Sequence, residues 1–159
     1  MFDQVTLCQA SAVVAAALFT AAASHSYVTA RGLRARWGAL AALKRTREDY
    51  PRTVALHSVI AVSGILVALL AWRDVGFSLV DGIWWFLGAG LLFGGLAFGL
   101  ACNLMFRAPK DRPWPDSSAE AAENFMRAWG AMHFLRANDG AMAALVFLFG
   151  VFNVQLFAA

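Results

Sequence analysis

Three histidines, His25, His57 and His133, are the side chains of this sequence best suited to moving a proton or holding a metal ion. Imidazole changes charge near neutrality and is a common acid–base catalyst and metal ligand. Arg136 follows His133 by three residues and Asp139 follows Arg136 by three, a spacing that makes helical neighbours. Arg136 facing an anionic or phenolic oxygen would stabilise charge developing there. The ordinary alternative is an internal pair with Asp139, the usual way to hold charge at a membrane edge. Asn103 offers an amide donor. No two histidines stand at HxxxH or HxxH spacing, so metal or haem ligation by His25, His57 and His133 would need separate helices to bring them together. The histidines have a bland reading too, as interfacial groups hydrogen-bonded to headgroups or water. The sequence has no CxxC pair, no CxxCH haem attachment, no phosphate-binding glycine loop and no nucleophile elbow.

The elements that must position these groups are membrane spans. Sixty per cent of the residues are hydrophobic and the mean hydropathy is +0.61, beyond the range of a soluble domain. Four apolar segments, at about 5–28, 54–72, 79–106 and 140–158, each approach the roughly 20 residues needed to cross a bilayer. The expected fold class is all-α, an integral membrane four-helix bundle in one domain. Long continuous apolar runs exclude a β-barrel.

Charge gives the expected orientation. Twelve of the thirteen Lys and Arg residues fall in two regions on the same side of the spans, 31–52 and 107–136, and only Arg73 lies on the other. Basic residues stay with the cytoplasmic leaflet, so both regions are expected in the cytoplasm and both termini outside. The expected location is the inner (plasma) membrane of a bacterium. A net charge of +3, concentrated at one end, suits anionic inner-leaflet lipids as partners, and no module for reading nucleic acid is present.

This topology puts His25 at the inner end of span one, His57 one turn inside span two and Asn103 at the inner end of span three. His133 precedes residue 140 by seven, about 10 Å at helical rise, so it joins them only if its helix enters the membrane earlier or leans across the bundle. Cys8 and Cys102 fall near opposite membrane faces, roughly 20 Å or more apart, and no disulfide is expected between them. The middle of the first basic region, with Trp37, Leu40 and Leu43, suits a short interfacial helix, and Pro51 is expected in the first turn of span two. The region 107–117 is rich in proline and not helical throughout. Ser117 and Glu120 form a capping box for a helix from about 118 that leads into span four, continuous or bent near Asn138-Asp139-Gly140. Asp81 is expected at the start of span three.

Span three carries Gly88, Gly90, Gly94, Gly95 and Gly99. The pairs Gly90/Gly94 and Gly95/Gly99 let another helix approach closely, either within the bundle or in a homo-oligomer or larger membrane complex. Trp72, Trp84 and Trp85 are expected in one interfacial belt, and Trp37, Trp114 and Trp129 in the other.

The last third of the chain resembles the anthrone oxygenase-like group of small four-span membrane proteins. The matching parts are Cys102-Asn103-Leu104, then the acidic, alanine-rich run from Pro115 to Glu123, then Trp129, His133 and Arg136 as a Trp-x-x-x-His-x-x-Arg element. Leu104 and Met105 stand where that family usually has a proline and a second asparagine. The resemblance implies oxidation by dioxygen of a phenolic or aromatic lipophilic substrate, with no organic cofactor. It implies His133 as base, Arg136 and Asn103 as donors to an enolate oxygen, and Trp129 as an apolar wall. Two other classes compete with it: a non-catalytic accessory subunit packed through span three, and a His-ligated metal or haem redox protein. Transport finds no support, since no acid–base pair sits at the midplane and no inverted repeat is visible.

Overall fold

The computed structural model describes residues 4–76, 82–106 and 118–157, with side chains for 6–76, 82–101 and 118–152. It contains four helices: α1 Gln4–Trp37, α2 Ala39–Asp74, α3 Ile83–Phe106 and α4 Ala119–Phe157. Each is long and apolar enough to cross a membrane. Consecutive helices run antiparallel. α2 and α4 both pack against α1 and against α3 and also touch each other, so α1 and α3 occupy opposite corners.

The inward faces follow one rule. On α4 the buried residues, Met132 apart, are Ala122, Met126, Trp129, His133, Arg136, Gly140, Ala143, Phe147 and Gly150, separated alternately by four and three positions. On α3 they include Trp85, Gly88, Leu92, Gly95 and Gly99, and on α1 Gln9, Ala12, Ala16, Phe19 and Ala23. Alternation of three and four keeps one seam facing its neighbours in a left-handed bundle. Most seam residues are Ala or Gly, which lets the backbones come close. A methyl group at Gly64 would lie 2.8 Å from Leu92 Cδ1 and 3.1 Å from Ala15 Cβ, and one at Gly88 would overlap the Phe147 ring.

Large apolar side chains face outward instead. They are exposed from Leu7 to Val28 on α1, Leu56 to Leu70 on α2, Phe86 to Leu100 on α3 and Phe134 to Phe152 on α4. On α1 this belt rises about 30 Å, the thickness of a bilayer hydrocarbon core. Past the belt, α1, α2 and α4 continue at the basic end as a three-helix extension. It buries Ala30, Ala42, Leu43, Ala122, Met126, Trp129 and Met132, and Arg34 Nη1 crosses from α1 to Glu123 Oε1 on α4 at 3.4 Å.

Several local expectations change. The basic region 31–52 is not a loop. α1 and α2 meet across Gly38, whose φ of 79° is one that L side chains rarely adopt. Its N–H donates to the Arg34 carbonyl and its own carbonyl accepts from Ala42 N–H, which closes one helix and opens the next. Pro51 therefore lies well inside α2. The helix persists there because Ala42, Leu43 and Thr46 are buried in the extension, offsetting the backbone bond that proline cannot make. Ser118 caps α4 among the described residues: its Oγ accepts from Ala121 N–H at 3.1 Å. α4 is one helix through Asn138-Asp139-Gly140. Trp85 and Trp129 are buried, so neither serves in an interfacial belt. Trp85 stacks on Phe147 at 5.6 Å between ring centroids. Asp81, Ser117, Trp114 and the proline-rich region lie outside the described residues.

Candidate functional site

Two apolar clusters fill the bundle. One holds Ala12, Phe19, Ala61, Ala68, Trp85, Leu92 and Phe147; the other belongs to the three-helix extension. His57, His133 and Arg136 are all 3% exposed or less and lie between them. A buried polar layer flanked by apolar packing on both sides is costly unless its groups are paired or used.

The layer's geometry starts from α4. Trp129, His133 and Arg136 are consecutive positions of its inward seam, so all three project into the bundle. The His133 ring meets Trp129 edge-on at 4.8 Å and His57 of α2 edge-on at 5.4 Å. Neither His133 nitrogen has a hydrogen-bond partner among the described residues. His57 is hydrogen-bonded to the backbone of Ala22, while its Nδ1 has no partner. Phe19 of α1 closes the layer from the apolar side, 6.0 Å from His57 between centroids, and the Arg136 guanidinium sits 5.4 Å from the Phe19 centroid, in cation–π range.

α3 contributes absence of bulk. A methyl group at Gly99 would lie 2.8 Å from Arg136 Cζ, and one at Gly95 would lie 3.3 Å from Asp139 Oδ2. These two glycines make room for the polar face of α4, and Arg136 and Asp139 interact electrostatically along it. Gly95 and Gly99 are thus spent inside the bundle. Gly90 and Gly94 face outward, with nothing within 4 Å of a methyl group built on either.

Of the expected site residues, the structure brings together His57, His133, Arg136 and Trp129. His25 stays apart: it is exposed and lines a groove of about 270 Å³ between α1 and α2. The three histidines therefore do not converge, and no group of three or more His, Cys, Asp or Glu side chains is placed to hold a metal among the described residues. Asn103 falls in the last turns of α3, and its side chain lies outside the described residues. The sequence reading missed Phe19, an ordinary apolar residue in an apolar run, and Tyr50, which packs on Trp129 at 5.5 Å. Tyr50, Phe125 and Trp129 line the basic side of the layer with aromatic rings.

The arrangement offers an imidazole with no hydrogen-bond partner among the described residues, a second imidazole beside it and a cation one helical turn along, with aromatic rings on two sides. Such a set can take a proton from an acidic carbon or hydroxyl and hold the resulting anion. Comparison of the chain with family models, with curated proteins and with solved structures finds no match.

Proposed function

We propose that this protein is a membrane enzyme of the anthrone oxygenase-like kind, acting with dioxygen on a phenolic or aromatic lipophilic substrate. The observation that carries the reading is His133, fully buried with neither nitrogen partnered among the described residues and Arg136 three residues along the same face. An imidazole kept at that cost has a use beyond packing. The resemblance over Trp129, His133 and Arg136 supplies the reaction class.

The reaction converts a methylene flanked by aromatic rings to a carbonyl. His133 takes one proton from the methylene, and the electron pair moves onto the substrate's carbonyl oxygen. Arg136 balances that oxyanion. The carbanion carbon bonds to dioxygen, and a proton returned to the outer oxygen gives a hydroperoxide. Loss of the second C–H proton breaks the O–O bond, leaves the carbonyl and releases water. One methylene and one dioxygen thus become one carbonyl and one water. Substrate enters from the lipid through the α1–α2 groove, where Leu56 and Trp129 lie together, and reaches His133 by displacing Trp129. His57 positions the base. By the positive-inside rule we orient the basic end toward the cytoplasm of a bacterial inner membrane, with both termini outside.

The test is dioxygen uptake by the purified protein in liposomes given an anthrone. The reading expects uptake matched mole for mole by quinone formation. Absence of protein-dependent uptake overturns it. Metal and haem analysis of the same preparation tests the redox alternative, for which a colourless, metal-free protein is the contrary result.

A specific observation favours a second reading, the accessory subunit or homo-oligomer. Gly90 and Gly94 form an open small-residue notch on the outer face of α3, beside the exposed rings of Phe86 and Phe93, and such notches admit a neighbouring helix. Under that reading Gly90→Leu with Gly94→Leu releases the partner chain in mild detergent while the monomer stays folded. An unchanged assembly by light scattering removes it.

A further inference from the structure

We infer that the groove between α1 and α4 at the basic end is a headgroup site for an anionic phospholipid. The inference rests on the membrane-spanning reading of the four helices and not on the chemistry of His133. The groove encloses about 340 Å³ and is lined by Tyr27, Arg31, Arg34, Arg127, Gly130 and Phe134, among others.

Its position comes first. Val28 and Phe134 are the last exposed large apolar side chains of the belt on α1 and α4, 64% and 51% exposed. Arg31, Arg34 and Arg127 begin immediately beyond them. The groove therefore straddles the level where acyl chains give way to phosphates. Its membrane side is aromatic, with Tyr27 and Phe134 in contact at 5.8 Å between centroids.

Charge then selects the ligand. Arg34 Nη1 and Arg127 Nε both approach the same atom, Glu123 Oε1, at 3.4 and 3.1 Å. This shared carboxylate holds two guanidiniums on either side of the groove. Arg31, one turn before Arg34, has no ion-pair partner among the described residues. Two guanidiniums share one carboxylate and the third has none, leaving an excess of two positive charges in a partly enclosed space. Guanidiniums match phosphate oxygens in geometry as well as charge, and basic pockets between spans at the membrane surface suit anionic headgroups.

Gly130 forms the floor. A methyl group there would make only ordinary contact, 3.8 Å from the Tyr27 ring. A larger side chain thus fills the groove without forcing the helices apart.

The test is native mass spectrometry of the full chain in detergent, titrated with phosphatidylglycerol or phosphatidylcholine. The inference expects one phosphatidylglycerol to be retained in preference to phosphatidylcholine. Arg31→Gln, at an exposed residue outside any packing, weakens that retention about fivefold. Gly130→Leu removes it with no change of charge, and Arg45→Gln, on a different flank, leaves it intact. Equal retention of the two lipids, or equal losses in the Arg31 and Arg45 variants, overturns the site in favour of diffuse attraction. Displacement of the lipid by millimolar inorganic phosphate overturns it in favour of a soluble phosphate ligand.

Discussion

Replacing Arg136 with leucine is expected to abolish turnover while leaving the bundle folded. The guanidinium is 3% exposed, lies over the Phe19 ring and fits against Gly99 of α3. In that dry setting a donor aimed at an oxyanion is worth about 10²–10³ in rate. Leucine keeps apolar bulk at the position and removes a charge that is expensive at this depth. Dioxygen uptake should therefore fall at least about a hundredfold, with cooperative thermal unfolding retained. Gly99→Ala reports on the same group from the opposite helix. Its methyl would lie 2.8 Å from Arg136 Cζ, the end of a flexible side chain, so the guanidinium shifts while the backbones stay in place. The expected result is a lower kcat at nearly wild-type stability. A variant that loses folding together with activity would make Arg136 a structural residue.

The largest effect on stability is expected at Gly140, where α4 crosses α1. A methyl group there would lie 2.6 Å from Thr20 Oγ1, 2.9 Å from Phe19 Cδ1 and 3.0 Å from the Thr20 backbone nitrogen. The backbone cannot turn aside as a side chain can, and Thr20 Oγ1 is held by its bond to the Ala16 carbonyl at 2.9 Å. Gly140→Ala must push the helices apart. Overpacking of this kind costs about 1–3 kcal/mol, or about 2–4 °C of thermal midpoint per kcal/mol in a domain of this size. Gly94→Ala is the control, since a methyl there meets open space. Thermal unfolding in the same detergent should separate the two; equal midpoints would contradict the α1–α4 packing.

The contrast between these glycines marks what the sequence revealed and what it hid. Four helices follow from apolar runs alone, because only a helix satisfies its own backbone in lipid. Which face of each helix turns inward does not follow from hydropathy, since lipid is as apolar as a protein core. Size carries part of that information here: most inward positions are Ala or Gly, with Phe19, Leu92 and Phe147 among the exceptions, and the outward belt is mostly Leu, Val and Phe. The three–four alternation of small residues on α4 passes through Trp129, His133 and Arg136 and identifies them as inward. The corresponding phase on α1 passes through Phe19, Ala23 and Ala30 and leaves His25 outside. Counting membrane level alone grouped three histidines, whereas helical phase keeps two. Phase also accounts for Trp85 and Trp129, which an interfacial belt could not hold once they fell on inward positions. Pro51 misled for another reason. Its local rule was overridden by burial of Ala42, Leu43 and Thr46 on the same helix, a tertiary effect absent from the local sequence. The Trp-x-x-x-His-x-x-Arg element was legible as a motif. Its neighbours Phe19 and Gly99 come from distant segments and emerge only when the helices are assembled.

The central claim is that His133 is kept for chemistry and not for packing, and His133→Leu tests it most directly. Dioxygen uptake and thermal unfolding would be measured on the variant and the wild type in the same liposomes. Both imidazole nitrogens are buried without a partner among the described residues, so leucine removes an unsatisfied polar group from an apolar surrounding, which is favourable or neutral for folding. The account predicts lost uptake with a thermal midpoint equal to the wild type or higher. Uptake retained, or a midpoint that falls along with it, would contradict the account and make the histidine a structural residue of the bundle.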